Sequence, residues 1–329
     1  MPTEIDSGLA ALSDQLILAT VLLYVLAMIG YALDLGFGRI RAATATPARK
    51  LVTVGAGAPA AEDAGPADHA DRGDDAADAP AATPPGPAPW VARTGAVAVA
   101  LSWLGLAGNV AALITRGLAV GRWPWANMYE FVVAICIAAV GAFLVMQARQ
   151  PVRFLGAFVC LAAALVLGFA VRYLHVQAGP VVPALNSYWI AIHVSAAIIA
   201  AGLFIVAGVA GILFLARKDG PSRLPAREVL ERVAHQAIVI AFPIWTFAVI
   251  AGALWADKAW GRYWGWDPKE VWSFITWIAY AAYLHAKATA GWRGRAATIV
   301  QLIAFGCLIF NLVGVNIFLS GLHSYAQVP

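Results

Sequence analysis

The sequence predicts an all-α protein that crosses a lipid bilayer about eight times. Three observations carry that expectation. Apolar residues make up 61% of the 329-residue chain and charged residues only 12%, where a soluble domain carries roughly 25% charged residues. The apolar residues gather in runs of about 20 or more, the length that spans a hydrocarbon core of about 30 Å. In lipid, backbone N–H and C=O groups must be satisfied within their own segment, so such runs are helices.

Taken in order, the runs fall near 12–33, 95–117, 128–147, 154–174, 189–216, 229–256, 271–288 and 296–320, each rich in Leu, Ala, Val and Ile. Met1 to Gln15 is acidic and lacks the basic start of a signal peptide, so the first run reads as a retained transmembrane helix. Orientation follows the distribution of Lys and Arg. With both termini outside, 16 of the 22 basic residues lie in inner loops. Only Arg116, Arg122, Arg172, Lys258, Arg262 and Lys269 remain outside. Between the first two runs, residues 44–90 are mostly Ala, Gly, Pro and Asp. A stretch with so few large apolar side chains cannot offset the entropy of ordering. It reads as a disordered cytoplasmic linker, with His69 incidental within it. The expected organisation is a single helix in 1–43, the acidic linker in 44–90 and a seven-helix membrane body in 91–329.

Three cysteines, Cys136, Cys160 and Cys307, lie singly inside apolar runs. Without a Cys-x-x-Cys pair there is no redox dithiol and no covalent haem attachment site in the chain. The bilayer is an expected partner and nucleic acid is not.

The stretch Trp260 to Glu270 stands out. Of the 13 tryptophans, six (Trp255, Trp260, Trp264, Trp266, Trp272 and Trp277) fall between 255 and 277. An interfacial aromatic belt accounts for one or two indoles per helix end, and six around one connection exceed that. Gly261 and Gly265 permit an irregular backbone that turns indoles toward a common point. Asp267-Pro268-Lys269-Glu270 fits an N-cap, a proline at the first helical position and an acidic residue two positions later. Asp267 is therefore a cap, a ligand contact, or both. His193, about one turn inside the fifth helix, and His323, just past the eighth, lie near the depth of this patch. Two imidazoles from different helices can ligate a haem iron axially. His175 is a third outer histidine that position alone leaves open. His285 lies about 21 Å deeper along the seventh helix. Its candidate partners are His235 or a histidine of another subunit. Glu130, with Asn127 at the start of the third helix, either complements the helix dipole or tunes protonation beside a pocket.

These motifs resemble one family. The run Trp255-Ala256 … Trp260-Gly261-Arg262-Tyr263-Trp264-Gly265-Trp266-Asp267-Pro268-Lys269-Glu270 is similar to the tryptophan-rich "WWD" domain of haem-handling membrane proteins. Asn127-Met128-Tyr129-Glu130-Phe131 and Asn311 … Gly321-Leu322-His323-Ser324-Tyr325 resemble the CcsA (ResC) subunit of the System II cytochrome c synthase, over about residues 95–329. The resemblance implies a protein of the plasma (inner) membrane that carries haem b outward with a ResB (CcsB-type) partner. It presents the haem for thioether attachment to the Cys-x-x-Cys-His motif of apocytochrome c. It also implies that His193 and His323 ligate haem iron at the external patch and that His285 ligates it within the membrane opposite a ResB ligand. Trp255, Trp260, Trp264, Trp266, Asp267 and Arg262 would contact the haem. Two other classes remain: a haem exporter or chaperone that forms no bond, and a small-molecule transporter with an aromatic gate. The second would show inverted repeats, and none is evident between the two halves.

Overall fold

In a computed structural model, residues 5–38, 89–181, 185, 187–289 and 291–323 are described. The acidic linker, apart from its last two residues, lies outside them, as do Ser324 and Tyr325. The described chain is helical, with no strand among the described residues. Its helices are α1 (Ser7–Phe37), α2 (Pro89–Val120), α3 (Met128–Arg149), α4 (Gly156–Phe169), α5 (Tyr188–Ala216), α6 (Arg227–Trp260), α7 (Pro268–Thr289), α8 (Gly294–Ile309) and the short α9 (Val315–Phe318). Single π-helical turns, Ala170–Leu174 and Phe310–Gly314, extend α4 and join α8 to α9.

Among the described residues, seven helical stretches are long and apolar enough to cross a membrane. The seventh expected span, α7, is not among them, because its sequence carries Lys269, Glu270, His285 and Lys287 among four Trp or Tyr side chains before its last turns. Connectivity still takes it across. α6 ends where α7 begins, and α9 returns to that same end, since His323 touches both Trp260 and Asp267. α7 must therefore run the full depth between them.

α1 and α2 form a long antiparallel pair with a heptad-like seam. The buried positions of α2 run 95, 98, 102, 105, 109, 112, 116 and 119, and those of α1 run 13, 17, 20, 24, 27 and 31. A 3.5-residue period keeps one face toward its partner. Small residues let the backbones approach, as in membrane bundles generally: a Cβ on Gly105 would lie 2.5 Å from the Tyr24 ring. Ile17, Tyr24 and Tyr31 of α1 share one contiguous core with α3, α4, α5, α6 and α8.

Because the helices alternate in direction, one end of the bundle gathers residues 121–127, 175–181, 261–267 and 319–323. All the informative connections of the sequence meet there.

Candidate functional site

The tryptophan-rich turn is built by two helix ends. α6 stops at Gly261, which takes φ 71° and returns its N–H to the Asp257 carbonyl at 2.9 Å. The left-handed conformation there suits glycine. α7 starts with a reciprocal capping box. The Lys269 N–H donates to Asp267 Oδ2 at 3.1 Å, and the Asp267 N–H donates to Glu270 Oε2 at 3.0 Å. Glu270 also accepts from the Gly265 N–H at 2.8 Å. Between these ends Trp266 adopts φ 58°, the one positive-φ residue other than glycine among the described residues. A bulky side chain there is strained by about 1–3 kcal/mol.

Asp267 does more than cap. Its Oδ2 accepts from His323 Nδ1 at 2.7 Å and its Oδ1 accepts from the Leu322 N–H. The carboxylate thus ties the segment after α9 to the start of α7. Burial alone would raise its pKa. The bond and charge of His323, with the two N–H donors, outweigh that and hold the carboxyl below the usual carboxylate range.

His193 projects from α5 against α6, and its Nδ1–H donates to the Ala248 carbonyl at 2.7 Å. A carbonyl cannot donate, so the hydrogen is on Nδ1 and the lone pair is on Nε2. Gly252 makes this possible: a Cβ there would lie 2.7 Å from His193 Cε1 and Nδ1. Trp255, 2% exposed, joins the two histidines. Its ring stacks on His193 at 6.0 Å and 8°, and lies 5.7 Å from His323, while Trp260 stands edge-on to His323 at 5.1 Å.

His193 and His323 both line one cavity of about 1150 Å³, counted out to its mouth. Its aromatic walls are Trp125, Trp245, Trp255, Trp260, Tyr263 and Trp264, with Phe131 below. A second cavity, of about 860 Å³, shares Lys269, Asn316 and His323 with the first. Two buried polar atoms on the first cavity's wall, Trp125 Nε1 and Asn311 Oδ1, have no hydrogen-bond partner among the described residues. In native interiors such atoms call for a water or ligand partner.

The donor set speaks to the ligand. No group of three His, Cys, Asp or Glu side chains among the described residues could hold a bare metal ion, and structural zinc takes four ligands. Two anchored imidazoles on an aromatic-walled cavity match instead a planar macrocycle that supplies its own equatorial ligands.

Behind the Trp125 wall lies a buried ion network. Glu130, fully buried, accepts from Arg116 Nε at 3.0 Å, from both terminal nitrogens of Arg122 at 3.0 Å, and from the Ala126 N–H at 2.8 Å. Arg116 reaches on to the Val176 carbonyl, and Arg122 to the Gly179 carbonyl at 2.8 Å. Asn127 caps α3 by accepting from the Glu130 N–H at 2.9 Å. Glu130 is thus the hub that fixes 122–127 against residues 176–179. His175 is tied to Asp14 of α1 at 3.1 Å and stands edge-on to Tyr129. It does not line the cavity.

The expected residues divide accordingly. His193, His323, Trp255, Trp260 and Trp264 meet on the first cavity, and Asp267 holds His323 from the second. Trp266 is 69% exposed. Arg262 is exposed and lies across Gly265, and neither it nor Trp266 lines the cavities. His285 sits exposed toward the opposite end, with Thr289 Oγ1 3.4 Å from its Nδ1. His235 lies 3.4 Å from Tyr283 OH. Of the remaining tryptophans, Trp272 packs on Phe310, and Trp277 donates to Thr246 Oγ1 at 2.9 Å. Trp245 and Asn316 went unseen in the sequence, because nothing local separates a cavity-lining side chain within an apolar helix from a core one. Trp125 lies two residues before the Asn127–Phe131 string that the sequence singled out, but no spacing rule aims its ring.

A model of the cytochrome C assembly protein family matches residues 125–323, the stretch that carries every cavity-lining residue. The chain is 30% identical to "Cytochrome c biogenesis protein CcsA" of Synechocystis sp., over 73% of this chain and 90% of that one. It is also 30% identical to the protein of the same name from Gloeobacter violaceus, over 70% and 92%. The solved structure titled "Cytochrome c Heme Lyase CcmF" superposes with a TM-score of 0.58 at 15% identity, covering 92% of this chain and 46% of that one. At that identity it attests the fold, and the chain spans about half of it. The chain belongs to the cytochrome C assembly protein family, as a member of its CcsA branch.

Proposed function

We propose that this protein serves cytochrome c biogenesis by holding haem b in the first cavity, with His193 and His323 as the axial pair, and presenting it to apocytochrome c. One observation carries the reading. Two imidazoles, one on α5 and one in the segment after α9, each fixed through Nδ1, reach the wall of the same aromatic cavity. A histidine so held ligates through Nε2. The family match and the CcsA relatives agree with this cargo.

The chain's own residues orient and shield. The aromatic walls pack the porphyrin faces, and Glu130 holds the Trp125 wall in place. Each client thiol adds across a haem vinyl, forming one S–C bond while the thiol proton moves to the other vinyl carbon. Nothing leaves, so no strong acid or base is required. Positioning is the main contribution, and can supply roughly 7–11 kcal/mol. The client's histidine replaces one of the two axial ligands as it docks. A ResB-type subunit completes the synthase and pairs with His285 at an earlier station within the plasma (inner) membrane. The cavity end then faces outside, in keeping with the basic inner loops.

Co-expression with a ResB-type partner and an apocytochrome, in a host lacking other synthases, tests this. Covalent haem on the client is the expected product, and it falls at least tenfold in His193→Ala and His323→Ala. Haem that reaches the client without a thioether bond would make the protein a carrier alone.

A further inference from the structure

Three outer cations flank the tryptophan-rich turn, and only one is placed to meet a ligand. Lys258 is 64% exposed and paired with Asp257 at 3.2 Å. Arg262 is exposed and folded over Gly265. Lys269 lines both cavities, and it is the one Lys or Arg among the described residues lining either. Its Nζ donates to the Asn311 carbonyl at 2.6 Å, within the π-helical turn Phe310–Gly314. That partner is neutral, and no carboxylate lies within ion-pair distance of Nζ among the described residues. The Asp267 oxygens are already engaged by His323 and the Leu322 and Lys269 N–H groups.

The position is also electrostatically odd. Lys269 occupies the first turn of α7, where the helix dipole disfavours a cation. A partly buried ammonium there, with two of its three donors beyond the Asn311 bond, is poorly compensated by the protein alone. An anionic group entering from the shared cavity supplies the compensation.

We propose that Lys269 is the carboxylate-recognising residue of this site, binding the propionate edge of the porphyrin where the two cavities meet. This rests on the haem reading above and deepens it. Haem is nearly symmetric in its ring and asymmetric at its rim, with propionates on one edge and vinyls on the other. A cation fixed at one point of the cavity therefore selects one orientation. It turns the vinyl edge away from Lys269 while His193 and His323 hold the iron. The Asn311 carbonyl is the group that the propionate displaces or joins at Nζ. Lys269 thus acts as a positioning residue, ahead of any bond formation.

The test titrates the purified full-length protein, stripped of haem, with haem and separately with haem dimethyl ester, whose carboxylates are masked. The wild type is expected to prefer haem by about tenfold or more, the range of one charge-assisted hydrogen bond. Lys269→Gln should lose that preference by binding haem more weakly while its affinity for the ester stays within about twofold. Lys269→Arg should keep most of it. A wild type that binds both alike overturns the assignment to Lys269 and leaves the haem reading standing, and so does a Lys269→Gln variant that still prefers haem. A wild type that binds neither overturns the haem reading and this inference together.

Discussion

Asp267 shows how one side chain serves two links of the chain of causes. It caps α7, and it holds His323 by a charge-assisted bond of 2.7 Å. Asp267→Asn keeps a competent cap while removing the charge, so the helix should persist and His323 should loosen. Losing such an outer partner weakens metal affinity roughly 10- to 100-fold, which a haem titration of the variant reads directly. The pH dependence has a definite sign. A carboxyl held below its unfolded value contributes stability that is complete above about pH 3.9 and is lost as pH falls through its folded value. The melting temperature of the wild type should therefore drop more steeply than that of Asp267→Asn below about pH 4. Gly252 is the counterpart on the other wall. Gly252→Val puts branched carbon where His193 now sits, and should reduce bound haem at least tenfold with the helical circular dichroism unchanged. The capping role of Asp267 was legible in the sequence from the Asp-Pro-Lys-Glu order. Its hold on His323 was not, because 56 residues separate the two and only the fold joins them.

At the scale of elements, the spans stood where apolar runs put them, and their ends did not. α6 continues to Trp260 rather than stopping near 256, because Asp257 and Lys258 lower hydropathy without breaking a helix. α2 begins at Pro89, a residue suited to a first helical turn, rather than near 95. The seam between α1 and α2 was hidden, since its α2 positions are filled by Gly, Ala, Ser, Asn and Arg rather than by large apolar residues. Glu130 was left between two readings by the sequence, and the structure gives it a third, as the hub of a buried ion network. Removing one partner of such a network costs about 3–5 kcal/mol. Glu130→Gln should accordingly lower the melting temperature and release the 122–127 segment. That release is measurable as faster hydrogen exchange at the Ala126 N–H.

The whole molecule is a bundle whose one end carries both cavities. Alternating helix directions bring four sequence-distant segments to that end, and the apolar runs forecast the bundle. What composition could not supply was which indoles face inward. Three of the six clustered tryptophans line the cavity, and Trp125 and Trp245 complete it from elsewhere. His285 lies toward the other end of α7, so His285→Ala should leave the iron environment of the first cavity unchanged when haem is supplied directly. In the proposed function, His193 and His323 together hold one iron. Its most direct test is the low-temperature electron paramagnetic resonance spectrum of the oxidised, haem-loaded protein, taken with its visible absorption. A low-spin, six-coordinate bis-imidazole signal is expected. It should be lost in His193→Ala and in His323→Ala, and restored in each by added imidazole. A signal that survives either substitution unchanged would contradict the assignment.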